Sequence, residues 1–549
     1  MVCYTNTEIQ KEKRGYQTMN NEAKNAIREG KTVLGIEFGS TRIKAVMTDL
    51  NGTPIASGTY DWENQLVDGI WTYSLEMIET GLQTCYANLK DNVKTEYGET
   101  IKTFAAMGFS AMMHGYIVLN DKDELLVPFR TWRNTITGEA SEVLTKYFDF
   151  HIPQRWSIAH LYQAIANGEP HVKDIKHLMT LAVYIHYRLT GKSVAGVGEA
   201  SGMFPIDSAV VDYNKTMIAQ FDKLVAPKNF PWKLGEILPQ VLTAGENAGT
   251  LTETGAKFLD PAGDLAAGIP LCPPEGDAGT GMAATNSVKI RTGNVSAGTS
   301  VFSMVVLDKP LKAVHDEIDV VTTPDGAPVA MVHCNNCSSD LNAWMGILKE
   351  TLKTFGTEVS SDELYGTLFN KALEGDPQGG GLLSYNYFSG EHITGMNAGR
   401  PLFVRAENAQ FNLANFMRVQ LMTAFGVLKV GNDILLKEEG VTVDRLYGHG
   451  GIFKTPVVGQ RILGAALHAP VAVMTTAGEG GAWGIALLAS YMVNKEPGEK
   501  LADYLENKIF KGDLGTAIEP TKEDMDGFDA FADAYRKGLV IEGTAVQNF

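Results

Sequence analysis

Long apolar runs, cysteine and positive charge are all scarce in this chain. No apolar run reaches the ~18 residues that a membrane-spanning helix needs, and the polar N-terminal segment lacks the apolar core of a secretory signal. Five cysteines in 549 residues do not make a disulfide framework. The net charge of −17 argues against nucleic-acid or anionic-membrane partners, because like charges repel. We therefore expect a cytoplasmic protein without either kind of partner.

The size of the chain favours two domains. A single hydrophobic core rarely serves 549 residues, and the apolar share of 44% and charged share of 20% are those of ordinary globular proteins. We predict a mobile N-terminal extension over residues 1–31, with a short helix at 21–28, followed by an N-terminal domain over 32–288 and a C-terminal domain over 289–549.

Strand and helix patterns alternate along the chain. Residues 33–38, 43–50 and 54–59 predict three strands joined by tight turns, and apolar spacing predicts helices at 175–189 and 413–428. This alternation is typical of an α/β fold.

An internal similarity links the two predicted domains. Residues 33–50 and 289–306 both show a strand, a small-residue turn and a second strand, with Gly39-Ser40-Thr41 and Gly298-Thr299-Ser300 as the turns. Glycine lets backbone N–H groups approach an anion, so two such turns facing one another would hold a phosphate chain. Ordinary hairpin turns are the alternative, and the spacing of a Walker P-loop is absent.

Asp277 stands among small residues in Gly276-Asp277-Ala278-Gly279, shortly before the second turn. A carboxylate there could accept a proton from a substrate hydroxyl during phosphoryl transfer. The alternative is an Asp that caps a helix starting at Ala278.

A second glycine-rich stretch, Gly448 to Pro456, precedes a predicted helix at 457–467. Its glycine pair, Gly450-Gly451, would let a flat ring approach the backbone, with a packing turn as the alternative. Cys334 and Cys337 form a Cys-x-x-Cys pair, but a structural zinc site needs a second pair of ligands that the sequence does not show, so free thiols are favoured.

Taken together, the order and spacing of these motifs resemble the FGGY family of carbohydrate kinases, from about Val33 to the C-terminus. The resemblance implies one phosphate motif at Gly39, Ser40, Thr41 and Lys44, and another at Gly298, Thr299 and Ser300. It further implies adenine nucleotide binding by Gly450, Gly451 and Lys454, Asp277 as the general base, and a Mg²⁺ contact at Glu37 and Asp277.

The resemblance also extends to sugar-binding segments. Met113-His114-Gly115 is similar to a segment that contacts the sugar in xylulokinases, and Trp132-Arg133-Asn134 occupies the place of a Trp-Asn-Asp segment there, which implies sugar contacts from Met113, His114, Trp132, Asn134 and Asp277. Tyr387 to Glu391 also looks like a xylulokinase segment, whereas the Gly450 region looks closer to L-ribulokinases.

Four positions depart from the family pattern. Glu37 replaces the usual Asp, Met112 replaces a Gln, Asn134 replaces a final carboxylate, and His160 stands for a usual Lys. These departures affect the choice of sugar more than phosphoryl transfer.

The resemblance implies a two-domain fold of the actin, Hsp70 and hexokinase kind, ribonuclease H-like, with a central cleft. It implies ATP and Mg²⁺ as cofactors and a sugar as the partner molecule, with a homodimer as one expected assembly. D-Xylulose and L-ribulose are the leading substrates, and another sugar or polyol is the alternative. Two other classes stay open: an ATP-dependent chaperone or filament protein on the same fold, and a non-catalytic sugar-binding regulator.

Overall fold

A computed structural model describes residues 20–474 and 480–549. The contacts divide the chain into two units. The first contains the described residues within Met1–Ala284, Val321–Ala327 and Glu479–Gly512, and the second those within Thr285–Val320, Pro328–Gly478 and Asp513–Phe549. Each unit is built on a seven-stranded mixed sheet with packed helices. The prediction of a two-domain α/β fold is confirmed.

The sheet of the first unit begins with the predicted three-stranded hairpin, whose strands lie at Thr32–Phe38, Arg42–Asp49 and Pro54–Asp61. From one edge to the other, the sheet runs Gly249–Thr250, Pro270–Leu271, Ala106–Ala111, Thr32–Phe38, Arg42–Asp49 and Pro54–Asp61, and Glu275–Gly276 also pairs with Ala106–Ala111. Short two-stranded pairs are formed by Gln65–Val67 with Ile70–Thr72, Ile117–Leu119 with His177–Met179, Val194–Gly196 with Gln240–Leu242, and Ile206–Asp207 with Asp212–Tyr213.

Helices cover this first sheet. They span residues 20–29, Leu75–Tyr97, Gly138–Phe148, Ser157–Ala166, Leu181–Thr190, Val197–Ser201, Lys215–Val225, Leu234–Ile237, Glu253–Leu259, Asp277–Ala284, Gly480–Asn494 and Leu501–Tyr504. The helix predicted at 175–189 starts only at Leu181, because His177–Met179 instead pairs as a strand with Ile117–Leu119.

The short helix predicted at 21–28 is present at residues 20–29. It packs on the first unit, since Ile27 is buried and the Arg28 guanidinium lies 2.7 Å from a carboxylate oxygen of Glu99. The helical part of the predicted extension thus packs on the first unit, and residues 1–19 of that prediction lie outside the described residues.

The division into units also differs from a single cut near residue 288. Helix Gly480–Asn494, from late in the chain, packs directly on the central strand of the first sheet. A Cβ on Gly35 would lie 2.1 Å from the carbonyl oxygen of Ala482, so only glycine permits this approach. The segment Val321–Ala327 also joins the first unit, where the Thr322 N–H donates to Ser201 Oγ at 3.1 Å.

The sheet of the second unit repeats the strand–turn–strand opening, at Thr292–Ala297 and Val301–Val306, as predicted. Its order is Asp319–Thr322, Pro328–Cys334, Val301–Val306, Thr292–Ala297, Arg445–Gly450, Val471–Val473 and Thr516–Ile518, and Leu382–Tyr385 pairs separately with Leu402–Arg405. Its helices span Ser338–Thr354, Ser361–Ala372, Leu413–Ala424, Gly426–Asp433, Val458–Leu467 and Lys522–Asn548.

The helix predicted at 413–428 is interrupted at Phe425, and almost all of its residues lie in the core of the second unit. Within residues 20–474 and 480–549, no single helix is long and apolar enough to span a membrane. One pair, Leu413–Ala424 with Gly426–Glu438, meets the length and composition criteria only jointly, with a bend of 47°.

Candidate active site

Three of the predicted motifs meet at one edge of the first sheet. Strands Thr32–Phe38 and Glu275–Gly276 both run parallel to Ala106–Ala111, with Phe38 and Gly276 each in register with Ala111. The carboxyl ends of parallel strands share one sheet edge, which is where α/β folds commonly bind ligands. The structure therefore brings together the first glycine turn, the Met113-His114 segment and Asp277.

Aromatic residues of the same unit hold the first glycine turn. Trp62 Nε1 donates to the Gly39 carbonyl at 2.8 Å, the Tyr73 hydroxyl donates to the Ser40 carbonyl at 2.6 Å, and the Trp62 N–H donates to the Thr41 carbonyl at 3.1 Å. The Gly39 N–H donates to the Arg42 carbonyl at 2.9 Å, so an anion at this turn would have to be met by the N–H groups of Ser40 and Thr41.

Glu37 lies at the end of the first strand, in register with Lys44 on the second. Its carboxylate sits at the N-terminus of helix Gly480–Asn494, so close that a Cβ on Gly481 would lie 2.2 Å from Oε1. Desolvation, followed by the negative charge of Asp277, raises the pKa of Glu37 to about 7, although N–H donors of Ala482 and Gly481 oppose the shift. Glu37 thus serves as a helix N-terminal acceptor, and its Mg²⁺ contact stays a prediction.

Asp277 is the first residue of helix Asp277–Ala284. Its Oδ1 accepts hydrogen bonds from the N–H of Met113 at 3.3 Å and of Ala278 at 3.0 Å. Its side chain is solvent-accessible, yet desolvation by the surrounding protein raises its pKa, against the opposing effect of these N–H groups and of the Arg155 charge. An accessible carboxylate whose pKa is shifted towards neutrality is suited to accept a proton.

His114 is held within the first unit through both ring nitrogens. Arg155 Nε donates to Nε2 at 3.1 Å, so Nε2 carries no proton and Nδ1, 3.1 Å from the Gly202 carbonyl, is the donor there. The backbone of His114 has a φ of 71°, a conformation that is uncommon outside glycine. Both ring nitrogens are therefore already hydrogen-bonded, and the predicted contact of His114 with a sugar requires one of them to bond the sugar in addition to its present partner.

Trp132 and Asn134 differ in what they can offer a ligand. Trp132 is 37% exposed, with Nε1 3.4 Å from Ser40 Oγ beside the first turn. Asn134 is buried, and its amide bonds both backbone groups of Trp71, at 2.9 and 2.8 Å, and also the Thr131 carbonyl. Trp132 is open to a sugar, whereas the Asn134 side chain is committed to local structure.

Two buried carboxylates beside Asp277 were missed in the sequence. Glu275 accepts N–H bonds from Gly198 at 3.2 Å and Glu199 at 2.9 Å, and desolvation raises its pKa to about 8. Glu199 is completely buried, and a Cβ on Gly276 would lie 2.5 Å from its Oε2. Burial first, and then the charges of Glu275 and Asp277, raise the pKa of Glu199 well above its ordinary value. The sequence could have pointed to Glu275, since it directly precedes the Gly276-Asp277 motif. No sequence feature pointed to Glu199.

In the second unit, two further motifs meet at one sheet edge. Thr292–Ala297 and Arg445–Gly450 are adjacent parallel strands, with Ala297 in register with Gly450. The turn Gly298-Thr299-Ser300 and the Gly450-Gly451 pair follow these strand ends.

The second glycine turn is held by two backbone donors and one hydroxyl rather than by aromatic side chains. The Cys337 N–H donates to the Thr299 carbonyl at 2.9 Å, and both the N–H and the hydroxyl of Ser338 donate to the Gly298 carbonyl, at 3.2 and 2.6 Å. As in the first turn, the carbonyl oxygens are occupied within the unit.

The two glycines of the nucleotide motif have different reasons to be glycine. Gly450 has a φ of 106°, and a Cβ there would lie 2.1 Å from the Ala297 carbonyl oxygen, so local packing explains it. A Cβ on Gly451 would meet nothing within 4 Å. Lys454 is exposed at the end of the short 3₁₀ helix Gly451–Lys454. Room for a ligand therefore exists beside Gly451 and Lys454.

His160 and the Cys334–Cys337 pair, which the sequence analysis singled out, are both buried. His160 is fully buried, and desolvation lowers its pKa to about 3, so it cannot supply the charge of the family's usual Lys. Cys334 and Cys337 are buried free thiols, and the described residues contain no group of three or more potential His, Cys, Asp or Glu ligands for a metal.

Comparison with known proteins gives matches over most of the chain. Residues 32–279 match the model of the FGGY family of carbohydrate kinases, N-terminal domain, and residues 293–493 match its C-terminal domain. A xylulose kinase of Haemophilus influenzae is 21% identical over 65% of this chain and 69% of its own. A xylulose kinase of Lactococcus lactis is 22% identical over 78% and 81%, respectively.

Solved structures share the fold. A xylulose kinase and a gluconate kinase, both from Lactobacillus acidophilus, and a glycerol kinase with ADP from Plasmodium falciparum superpose with TM-scores of 0.74, 0.73 and 0.72. Identities are 17%, 17% and 16%, over 93% of this chain in each case and 99%, 98% and 98% of the other chains.

Proposed function

The chain belongs to the FGGY family of carbohydrate kinases, and from that premise we propose that it transfers the γ-phosphate of ATP to a primary hydroxyl, O5, of a ketopentose such as D-xylulose or L-ribulose. One observation supports this proposal above the others. The Met113 N–H donates to Asp277 Oδ1 at 3.3 Å, which joins the candidate base to the segment that resembles a sugar-binding motif.

Asp277 acts as the general base in this proposal. Its Oδ1 already accepts two N–H bonds, which orient the carboxylate, and its raised pKa brings it closer to that of a working base. The hydroxyl proton passes to Asp277 as the hydroxyl oxygen bonds to the γ-phosphorus. The bond between that phosphorus and the β,γ-bridging oxygen breaks, and ADP leaves with the electron pair.

Phosphate binding falls to the glycine turns. In the first unit, the carbonyls of Gly39-Ser40-Thr41 are occupied by Trp62 and Tyr73 and the Gly39 N–H by the Arg42 carbonyl, so the N–H groups of Ser40 and Thr41 are assigned to a phosphate. In the second unit, Gly298-Thr299-Ser300 is arranged in the same sense. Lys44 follows the first turn, and the open space beside Gly451 and Lys454 suits the adenosine.

The carboxylates of Glu37 and Asp277 would hold Mg²⁺ together, because Glu37 is in register with Ser110, and Gly276, next to Asp277, is in register with Ala111 on the strand Ala106–Ala111. Mg²⁺, when bound, neutralises phosphate charge. Glu37 then has two duties, since its carboxylate also accepts the N–H groups at the start of helix Gly480–Asn494.

The ketopentose is supported by the Met113-His114-Gly115 segment and by the xylulose kinase relatives. A different sugar or a polyol is the second candidate. It is favoured by the internal bonds of His114 and Asn134, which leave Trp132 as the more open of the predicted sugar contacts.

The test is release of ADP by the full chain with Mg²⁺ and ATP across D-xylulose, L-ribulose, D-ribulose, L-rhamnulose, gluconate and glycerol. We expect the highest kcat/KM with a ketopentose, and phosphorus-coupled NMR of the product should place the phosphate on C5. Glycerol or gluconate as the best substrate would refute the ketopentose. ATP hydrolysis that ignores every sugar would indicate a chaperone, and no ADP release at all would indicate a regulator.

A further inference from the structure

A completely buried carboxylate in the second unit, Glu391, lies behind the second glycine turn. Its Oε2 accepts three N–H bonds: from the backbone of Asn335 at 2.9 Å, from the backbone of Asn336 at 3.3 Å and from Asn336 Nδ2 at 3.2 Å. A buried carboxylate is costly unless such bonds compensate it, so packing alone does not explain a Glu at this position.

The loop that Glu391 holds is tied to the same segment by further bonds. Asn336 Oδ1 accepts the backbone N–H groups of Phe388 at 2.9 Å and Ser389 at 3.1 Å. Asn386 Nδ2 donates to the Cys337 carbonyl at 2.9 Å. The loop between strand Pro328–Cys334 and helix Ser338–Thr354 is thus hydrogen-bonded to residues 386–391 along its whole length, from Asn335 to Cys337.

The same loop ends at the donors that hold the second turn. Cys337 directly follows Asn336, and its N–H donates to the Thr299 carbonyl; Ser338 bonds the Gly298 carbonyl twice. The two residues bonded to Glu391 Oε2, Asn335 and Asn336, are therefore followed directly in the chain by the two residues that orient the turn.

We propose that Glu391 is a positioning residue for nucleotide binding: it holds the Asn335-Asn336 loop so that Cys337 and Ser338 keep the carbonyls of Gly298 and Thr299 turned away from the phosphate. This inference rests on the proposed kinase function, because it assumes that the second turn binds phosphate. Glu391 does not touch the nucleotide; it acts through the loop.

Three substitutions separate the parts of this role. Glu391→Gln keeps an oxygen acceptor at the same reach, so the Kd for ADP should stay within about threefold of the wild type. Glu391→Asp withdraws the acceptor by one methylene and Glu391→Ala removes it, so both should raise the Kd for ADP at least tenfold. The Kd for the sugar should change less than twofold. Calorimetric titration of the full chain with Mg·ADP, and separately with D-xylulose, measures both.

Glu542 provides the matched control. It is also completely buried in the second unit, and its bonding partner is the Arg400 N–H at 2.6 Å rather than the Asn335-Asn336 loop. Glu542→Ala should lower the thermal midpoint without a selective loss of ADP affinity. If Glu391→Ala fails to fold, Glu391→Asp and Asn336→Ala test the same bonds. In a double-mutant cycle, Glu391→Asp and Asn336→Ala should be non-additive for ADP affinity, since they remove a shared contact.

The outcomes are distinct. Unchanged ADP affinity in Glu391→Ala and Glu391→Asp, or equal losses of ADP and sugar affinity like those of a general destabilisation, would overturn the positioning role while the kinase proposal stands. A wild-type chain that binds sugar but no ADP would overturn both.

Discussion

The two glycine turns share a strand–turn–strand setting but are supported by different chemistry. In the first unit, side chains hold the carbonyls of Gly39 and Ser40: the indole of Trp62 and the hydroxyl of Tyr73, whose rings stack at 4.1 Å. In the second unit, the backbone N–H groups of Cys337 and Ser338 and the Ser338 hydroxyl hold them, and the buried carboxylate of Glu391 bonds the residues just before Cys337. Similar strand–turn–strand sequences thus have their turn carbonyls satisfied by different supports.

The two sheet edges also differ in titratable groups. The edge of the first unit carries Asp277 with Glu37, Glu199 and Glu275 around it, all with raised pKa values. The motifs at the edge of the second unit offer amide groups, Lys454 and His449, whose pKa is lowered by burial. This contrast suggests that the first unit supplies the chemistry and the second mainly holds the nucleotide, and substitutions on each side can test that assignment.

The largest effect is expected from Asp277→Asn. A positioned base typically contributes ~10²–10⁴-fold to rate, so kcat should fall at least ~100-fold, equivalent to about 2.7 kcal/mol on the barrier. ADP affinity and the thermal midpoint should change little, because Asn can still accept the N–H bonds of Met113 and Ala278. Steady-state kinetics and thermal unfolding on the same preparation measure all three.

A purely capping role for Asp277 predicts the opposite pattern. Asn is nearly as good a cap as Asp, so kcat would be retained. A stable and fully active Asp277→Asn enzyme would therefore show that Asp277 is not the general base. It would also contradict the assignment of the catalytic residues to the first unit.

Smaller effects are expected where the supports of the turns are removed. Trp62→Phe and Tyr73→Phe each delete one side-chain donor, at 2.8 and 2.6 Å, to a turn carbonyl. A neutral hydrogen bond contributes ~0.5–1.5 kcal/mol, so the KM for ATP should rise roughly twofold to tenfold. Ser338→Ala deletes a hydroxyl donor but leaves the backbone N–H donors of the second turn, so its effect should be below about twofold.

Initial rates at saturating sugar and varied ATP compare these three variants. Ser338→Ala as damaging as Trp62→Phe would contradict the distinction between a side-chain support and a backbone support.

Sequence patterns predicted the strands, the turns and the two-domain α/β fold, because strand periodicity and glycine placement are local signals. The same patterns missed what joins distant segments. Helix Gly480–Asn494 packs on Gly35, and Glu199 reaches Gly276, over separations that no local pattern encodes. Asn134 shows the converse: its motif suggested a sugar contact, yet its amide bonds the backbone of Trp71.

A last difference between the two supports is how they respond to pH. Burial raises the pKa of Tyr73 to about 12, so the aromatic support stays neutral near physiological pH. Burial raises the pKa of Glu391 to about 7, whereas an unfolded Glu has a pKa of ~4.3. The folded state therefore binds a proton that the unfolded state has released, and this contribution to stability is lost as pH rises through about 7.

Glu391→Gln should abolish that part of the pH dependence. The free energy of unfolding of the wild type, relative to Glu391→Gln, should fall by about 1 kcal/mol from pH 6 to pH 7 and level off above pH 8. Denaturant titrations at these pH values, which stay above the sequence pI of about 5.2, measure the difference, and Tyr73→Phe should keep the wild-type slope. If the free energy of unfolding depends on pH in the same way for the wild type and Glu391→Gln, the pKa of Glu391 is not raised. The supports of the two turns would then respond alike to pH.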